Sequence, residues 1–127
     1  MENVVSFINI RKRKPGDCVM FDIDDTLIDA KTEKTITHVK KLLDLCIYKK
    51  YKVAIITARP PLAENMKWTE QQLKDHSIRY DFLGFCAPQD KTLCKQHLTQ
   101  TRGWNFVLSV GDQPTDLTDS EMYLLVT

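Results

Sequence analysis

The sequence predicts an α/β fold built on a mainly parallel sheet. Three observations carry that expectation. Five short apolar runs show little polar alternation, which suits strands buried on both faces. The segments between them place apolar residues at helical spacing, and strand–helix alternation calls for parallel strands joined by right-handed crossovers. Three of the runs also close on Asp, Thr and Gly-Asp, at the sheet edge where ligands bind in such folds.

The predicted strands cover residues 18–21, 53–56, 82–86, 106–110 and 122–126. The first predicted helix carries Val39, Leu42, Leu43, Cys46 and Ile47 on one stripe, with Thr35 as its N-cap. A second stripe runs through Leu62, Met66, Thr69 and Leu73, with Pro61 suited to its first turn. Leu93, His97 and Leu98 mark a third helix, and Gly103 is its expected stop. Helices on both faces of the sheet make three layers, and no repeat or linker interrupts them.

Composition sets outer bounds. The 127 residues are 43% hydrophobic and 28% charged, which is ordinary for one globular domain over residues 1–127. A chain of this length buries about two thirds of its unfolded surface and needs no disulfide to fold. Eighteen Lys and Arg against 17 Asp and Glu give a net charge of +1, which excludes a generally basic nucleic-acid coat. No run approaches the roughly 20 apolar residues of a membrane span, and no signal segment is recognised at the N-terminus, so a cytoplasmic location is expected. Cys18, Cys46, Cys86 and Cys94 form no metal-spaced pair and read as reduced, mostly buried thiols.

The strand ends carry the chemistry. The first run closes on Asp22-Ile23-Asp24-Asp25-Thr26, the second on Thr57-Ala58-Arg59, and the fourth on Gly111-Asp112-Gln113-Pro114-Thr115-Asp116. Clustered carboxylates repel unless a cation holds them. An oxygen-only donor set without histidine or thiol suits Mg²⁺ rather than zinc. A carboxylate can attack phosphorus, a second can move the proton, and a lysine can balance the charge on the transferring phosphoryl group.

These residues resemble the motifs of the haloacid-dehalogenase (HAD) superfamily. Phe21-Asp22-Ile23-Asp24-Asp25-Thr26-Leu27 is similar to its first motif, Ile55-Ile56-Thr57 to its second, Lys91 to its third, and Gly111-Asp112 with Asp116 to its fourth. Lys91-Thr92 and Gly111-Asp112-Gln113 with Thr115-Asp116-Leu117 look most like the acid-phosphatase branch, which includes bacterial acid phosphatases and plant vegetative storage proteins. The resemblance implies a Mg²⁺-dependent phosphomonoesterase with an aspartyl-phosphate intermediate. It implies Asp22 as nucleophile and metal ligand, and Asp24 as general acid/base whose backbone carbonyl also binds the metal. Thr57 and the next backbone amide would hold phosphate oxygens, and Lys91 would neutralise nucleophile and phosphate. Asp112 would bind Mg²⁺ directly, and Asp116 would support the metal shell or orient Lys91. Both intervals where the family inserts cap domains are short here, so a capless member is expected. An open site of that kind suits a large phosphorylated substrate or a second subunit as cover.

Several residues carry two readings. Lys95 competes with Lys91 from one helical turn away, and Lys91 is favoured because it lies nearer the N-terminal end of the helix, which should face the site. Arg59 either binds substrate or packs. Arg11-Lys12-Arg13-Lys14 is either a solvated segment or a polyanion contact, the first being favoured. Asp25 and Asp29 read as solvated loop residues. His38, His76 and His97 fall at no strand end, and Trp68 and Trp104 read as core or boundary aromatics. Two further functions remain in view: a polynucleotide end phosphatase, and a non-catalytic binding or storage protein on the same fold.

Overall fold

The computed structural model describes residues 1–127. β1 (Asp17–Phe21), β2 (Lys52–Thr57), β3 (Phe82–Phe85), β4 (Asn105–Gly111) and β5 (Met122–Leu125) form one sheet in the order β3-β2-β1-β4-β5. Every neighbouring pair is parallel. All five predicted runs are strands, and their alternating side chains feed two different cores. The chain winds outward from β1 to β3, then returns beyond β1 to build β4 and β5. The carboxyl ends of β1 and β4 therefore flank a topological switch point, where open α/β sheets bind ligands.

The two faces are unequal. Val19, Phe21, Val53 and Ile55 point into a core of 20 buried residues shared with α1 (Glu2–Ile10), α2 (Thr37–Tyr48) and α3 (Ala63–Asp75). Cys18, Met20, Ala54 and Ile56 point the other way, into a core of only seven, closed by α4 (Lys91–Arg102). One extra residue, Val107, shifts the β1–β4 register between Cys18 and Val19. The three-layer arrangement matches expectation, and no cap domain is inserted between the strands.

Local departures have local causes. Helix α1 was not expected. It fully buries only Val4 and Ile8, one turn apart, with Val5 and Phe7 packed partly buried beside them. Thr35 does not cap α2. Ile36 holds that position without a side-chain bond, while the Thr35 hydroxyl lies 2.6 Å from His76 Nδ1. Pro61 and Leu62 precede α3 rather than opening it, and Leu62 is exposed. Leu93 also faces solvent, because α4 buries Lys91, Lys95 and Leu98 instead. Gly103 does stop α4, in the left-handed conformation at φ 68° that a glycine adopts without strain. Trp104 is core, whereas Trp68 is 51% exposed. All four cysteines are free. No helix is long and apolar enough to cross a membrane.

Candidate active site

The apolar strand β1 ends at Phe21, and the next residue is placed by backbone. Asp22 N donates to Val110 O at 3.0 Å, tying the end of β1 to β4. The Asp22 side chain is only 8% exposed. Its Oδ1 accepts from Lys91 Nζ at 3.0 Å and its Oδ2 from the Thr26 hydroxyl at 3.3 Å. Thr26 is fully buried and was not singled out from the sequence.

Lys91 opens α4, so the helix start delivers its ammonium to the switch point. The same Nζ donates to Asp116 Oδ1 at 2.5 Å. Asp116 is fully buried in a single helical turn, where its Oδ2 also accepts from Gln113 N at 3.2 Å. Gly111 makes this packing feasible: a Cβ there would overlap the Asp116 carboxylate. Lys95 is fully buried too, yet it turns away. It donates to Ser109 Oγ (2.9 Å) and to the carbonyls of Asp116 and Thr118 (both 2.7 Å), bracing the loop after β4. Lys91 alone of the two reaches Asp22.

The electrostatics follow from burial. Loss of water pushes the Asp22 carboxyl up to about 7, with the Asp116 charge adding to the effect and Lys91 opposing it. Burial lowers Lys91 as well, but the two carboxylates outweigh it and hold the ammonium above its ordinary range. Lys95 has no such pair on its side chain, and burial brings it down to about 8. Carboxylate oxygens of Asp22, Asp112 and Asp116 lie within 4.8 Å of one another. Only one ammonium answers them. An oxygen-only group with surplus negative charge fits a hard divalent cation such as Mg²⁺.

Asp24 is placed differently. Its side chain is 44% exposed and lies outside that trio. Arg59 grips it with both arms of a fork, Nε at 3.0 Å and Nη2 at 2.9 Å. The guanidinium is steadied in turn by the Thr69 hydroxyl (3.1 Å) and by the Trp68 ring, 5.2 Å from its centroid. Arg59 is thus a site residue that sequence reading left open. Its signal was its place two residues beyond the Thr57 strand end. Thr57 itself is fully buried, and its hydroxyl accepts from Arg59 N at 3.2 Å.

Asp22, Asp24, Ala58, Arg59, Lys91 and Asp112 line one cavity of about 270 Å³. Thr57 lies beneath it and presents no wall. Asp25 stands at its rim in a left-handed conformation at φ 58°, which Asp tolerates better than most residues. Asp29 is more than solvated. Its Oδ1 accepts from the amides of Lys31 and Thr32, both at 2.9 Å, and so shapes the loop before α2.

The five-stranded parallel sheet, with the carboxylate trio and the buried lysine at its switch point, matches a Rossmann-like HAD fold. Solved structures bear out that fold. The chain is similar to the class C acid phosphatase from Bacillus anthracis, with a TM-score of 0.67 and 17% identity over 91% of this chain and 61% of that one. It is also similar to a chain of the Pnkp1/Rnl/Hen1 complex, with a TM-score of 0.65 and 19% identity over 82% of this chain and 42% of that one. The chain therefore spans less than two thirds of either neighbour. No family model and no curated protein matches the sequence.

Proposed function

We propose that residues 1–127 form a single catalytic domain, a Mg²⁺-dependent phosphomonoesterase that works through an aspartyl-phosphate at Asp22. The observation that carries this reading is the buried Asp22 carboxylate beside Lys91 at the switch point, with Asp112 and Asp116 close by. An acid phosphatase among the structural neighbours supports it.

In the first step an Asp22 oxygen attacks phosphorus, and the bond to the leaving oxygen breaks. Asp24, once it has taken up a proton and let go one arm of the Arg59 fork, gives that proton to the leaving oxygen, so the product leaves as an alcohol. In the second step Asp24 takes a proton from water, the water oxygen attacks phosphorus, and the acyl-phosphate bond to Asp22 breaks. Inorganic phosphate leaves and both carboxyls are restored. Lys91 balances charge on Asp22 and the phosphoryl oxygens throughout. Asp22, Asp112, Asp116 and the Asp24 carbonyl would hold the Mg²⁺, which would offset the negative charge that builds on the phosphoryl group. Ala58 and Arg59 wall the phosphate pocket, while Thr57 shapes the turn that presents the amide after it.

The exposure of Asp24 leaves the pocket open to a large phosphorylated substrate, and this supports a polynucleotide end phosphatase as a second reading. A reducing cytoplasm suits four unpaired thiols. Hydrolysis of an aryl phosphate and of an end-phosphorylated oligonucleotide, each with Mg²⁺ and with a chelator, tests the reading. Metal-dependent turnover that Asp22→Asn removes is the expected result. Turnover unchanged in that variant refutes the mechanism. No turnover of either substrate leaves the binding or storage role on this fold as the better account.

A further inference from the structure

The edge of the sheet opposite the active site carries a second charged region, and most of its cations enter no ion pair. The basic run splits in two. Arg11 is structural: it bonds Asp17 at 2.6 Å and Glu121 at 2.9 Å, locking the end of α1 to the feet of β1 and β5. Lys12, Arg13 and Lys14 are exposed and enter no ion pair. Lys14 is fixed at the foot of β1, because Asp17 N donates to Lys14 O and Lys14 N to Asp17 Oδ2 (3.0 and 2.7 Å).

The neighbouring strand continues the line. Lys52 pairs in register with Cys18, so it starts β2 beside the foot of β1. Asp81 clamps the next foot, its amide donating to Val53 O at 2.9 Å and its carboxylate accepting from Val53 N at 2.8 Å. Arg79 stands just before that clamp. Lys50, Lys52 and Arg79 line a cavity of about 420 Å³ together with Tyr51, Tyr80 and Asp81. The three cations face one carboxylate, and none of them is ion-paired.

A bland cause accounts for part of this. Cations collect at helix C-termini, and Lys49 and Lys50 follow the end of α2. That rule does not place Lys14, Lys52 or Arg79, which stand at or just before strand starts. Lys50 is unusual in its own right. It holds a left-handed conformation at φ 72° after the helix, where glycine is the easier residue. Tyr48, ending the same helix, is 77% exposed. Tyr51 is buried and Tyr80 packs against the core, so Tyr48 is the aromatic left free to stack a base, beside cations of the kind that track a single-stranded backbone.

We propose that this amino edge is a binding surface for single-stranded nucleic acid, held through its phosphates without sequence preference. The surface is independent of the phosphatase reading, because it lies at the other end of every strand. The test is fluorescence anisotropy of a labelled oligothymidine of about 20 nucleotides with the full chain. If four phosphates are neutralised, raising salt from about 50 to about 200 mM weakens binding about 50-fold. The triple variant Lys14→Glu/Lys52→Glu/Arg79→Glu loses about tenfold or more in affinity. Lys50→Gly removes one cation at a site that suits glycine, so it weakens binding with the fold secure. Lys31→Glu/Lys34→Glu, exposed residues in the loop after β1, leaves binding unchanged. Equal loss in that control, no binding at low salt, or competition by polyglutamate as strong as by unlabelled oligonucleotide would overturn the proposal. The last outcome would assign the edge to an acidic protein partner.

Discussion

The two edges of the sheet use charge in opposite ways. At the carboxyl edge Asp22, Lys91 and Asp116 are buried, and each is bonded to another member of the group. At the amino edge Lys14, Lys50, Lys52 and Arg79 are exposed and bonded to no carboxylate. Burial makes the first set chemically active, since low dielectric shifts proton affinities and strengthens every contact. Exposure leaves the second set screened and individually weak, so its effect is collective. Residue type alone does not distinguish the two sets. Position along the strand does.

Substitutions at the two edges should therefore differ in kind as well as in size. The largest effect is expected from Asp22→Asn, with turnover falling at least about a thousandfold in a steady-state assay. The same variant should be the more stable protein without metal at neutral pH. The Asp22 carboxyl sits near 7 when folded and near 3.8 when unfolded, so between those values the folded state binds more protons. Stability from this group is thus present below about 4 and lost as pH rises toward 7, by up to about 4 kcal/mol. Thermal unfolding at pH 5 and pH 7.5, with and without Mg²⁺, checks this. A variant no more stable than wild type at pH 7.5 would contradict the burial argument.

Arg59→Ala comes next, at about a hundredfold in turnover of alkyl phosphates. Aryl phosphates, whose leaving oxygen needs less help from Asp24, should lose far less. Arg59→Lys should not restore activity, because an ammonium lacks the two-armed fork. Equal losses on both substrate classes would reduce Arg59 to a packing residue.

Lys95→Met belongs to the same edge but touches stability alone. It leaves the Asp116 carbonyl without a donor and takes one from Ser109 Oγ and the Thr118 carbonyl, which keep Ser120, and should cost about 1–3 kcal/mol in chemical denaturation. Lys95 is depressed to about 8 in the fold, so wild-type stability should rise as pH climbs from about 8 toward 10.5. The variant should lose that rise. At the opposite edge, Lys50→Gly should be the mildest change, neutral or stabilising by up to about 1 kcal/mol. Measurable destabilisation would mean that the Lys50 side chain packs rather than projects.

Much of this arrangement was legible before the structure. Strands β1, β2 and β4 ended where their apolar runs met Asp, Thr or Gly-Asp, because a doubly covered strand tolerates no interior charge. What escaped was set by distance or by brevity. The Asp24–Arg59 fork joins residues far apart in sequence, and no periodicity reveals it. Helix α1 rests on two buried side chains, too few for a stripe to stand out. Lys91 and Lys95 share a helix face, and the reason to prefer Lys91, its place nearer the N-terminal end of α4, agrees with its contact to Asp22. Asp29 looked like solvated loop because its partners are backbone amides, which sequence does not distinguish.

The unequal cores carry a last consequence. Of the three residues that α4 buries, two are lysines and one is Leu98. The helix is therefore moored by ammonium groups more than by oil. Its hold on the sheet depends on the charge state of the site it serves. Amide protons along α4 should exchange with solvent sooner than those of α2, whose four buried residues are all apolar. A bound anion or cation at the switch point would then be felt as slower exchange along the whole helix. The site and the helix that walls it are tied together by the same two lysines.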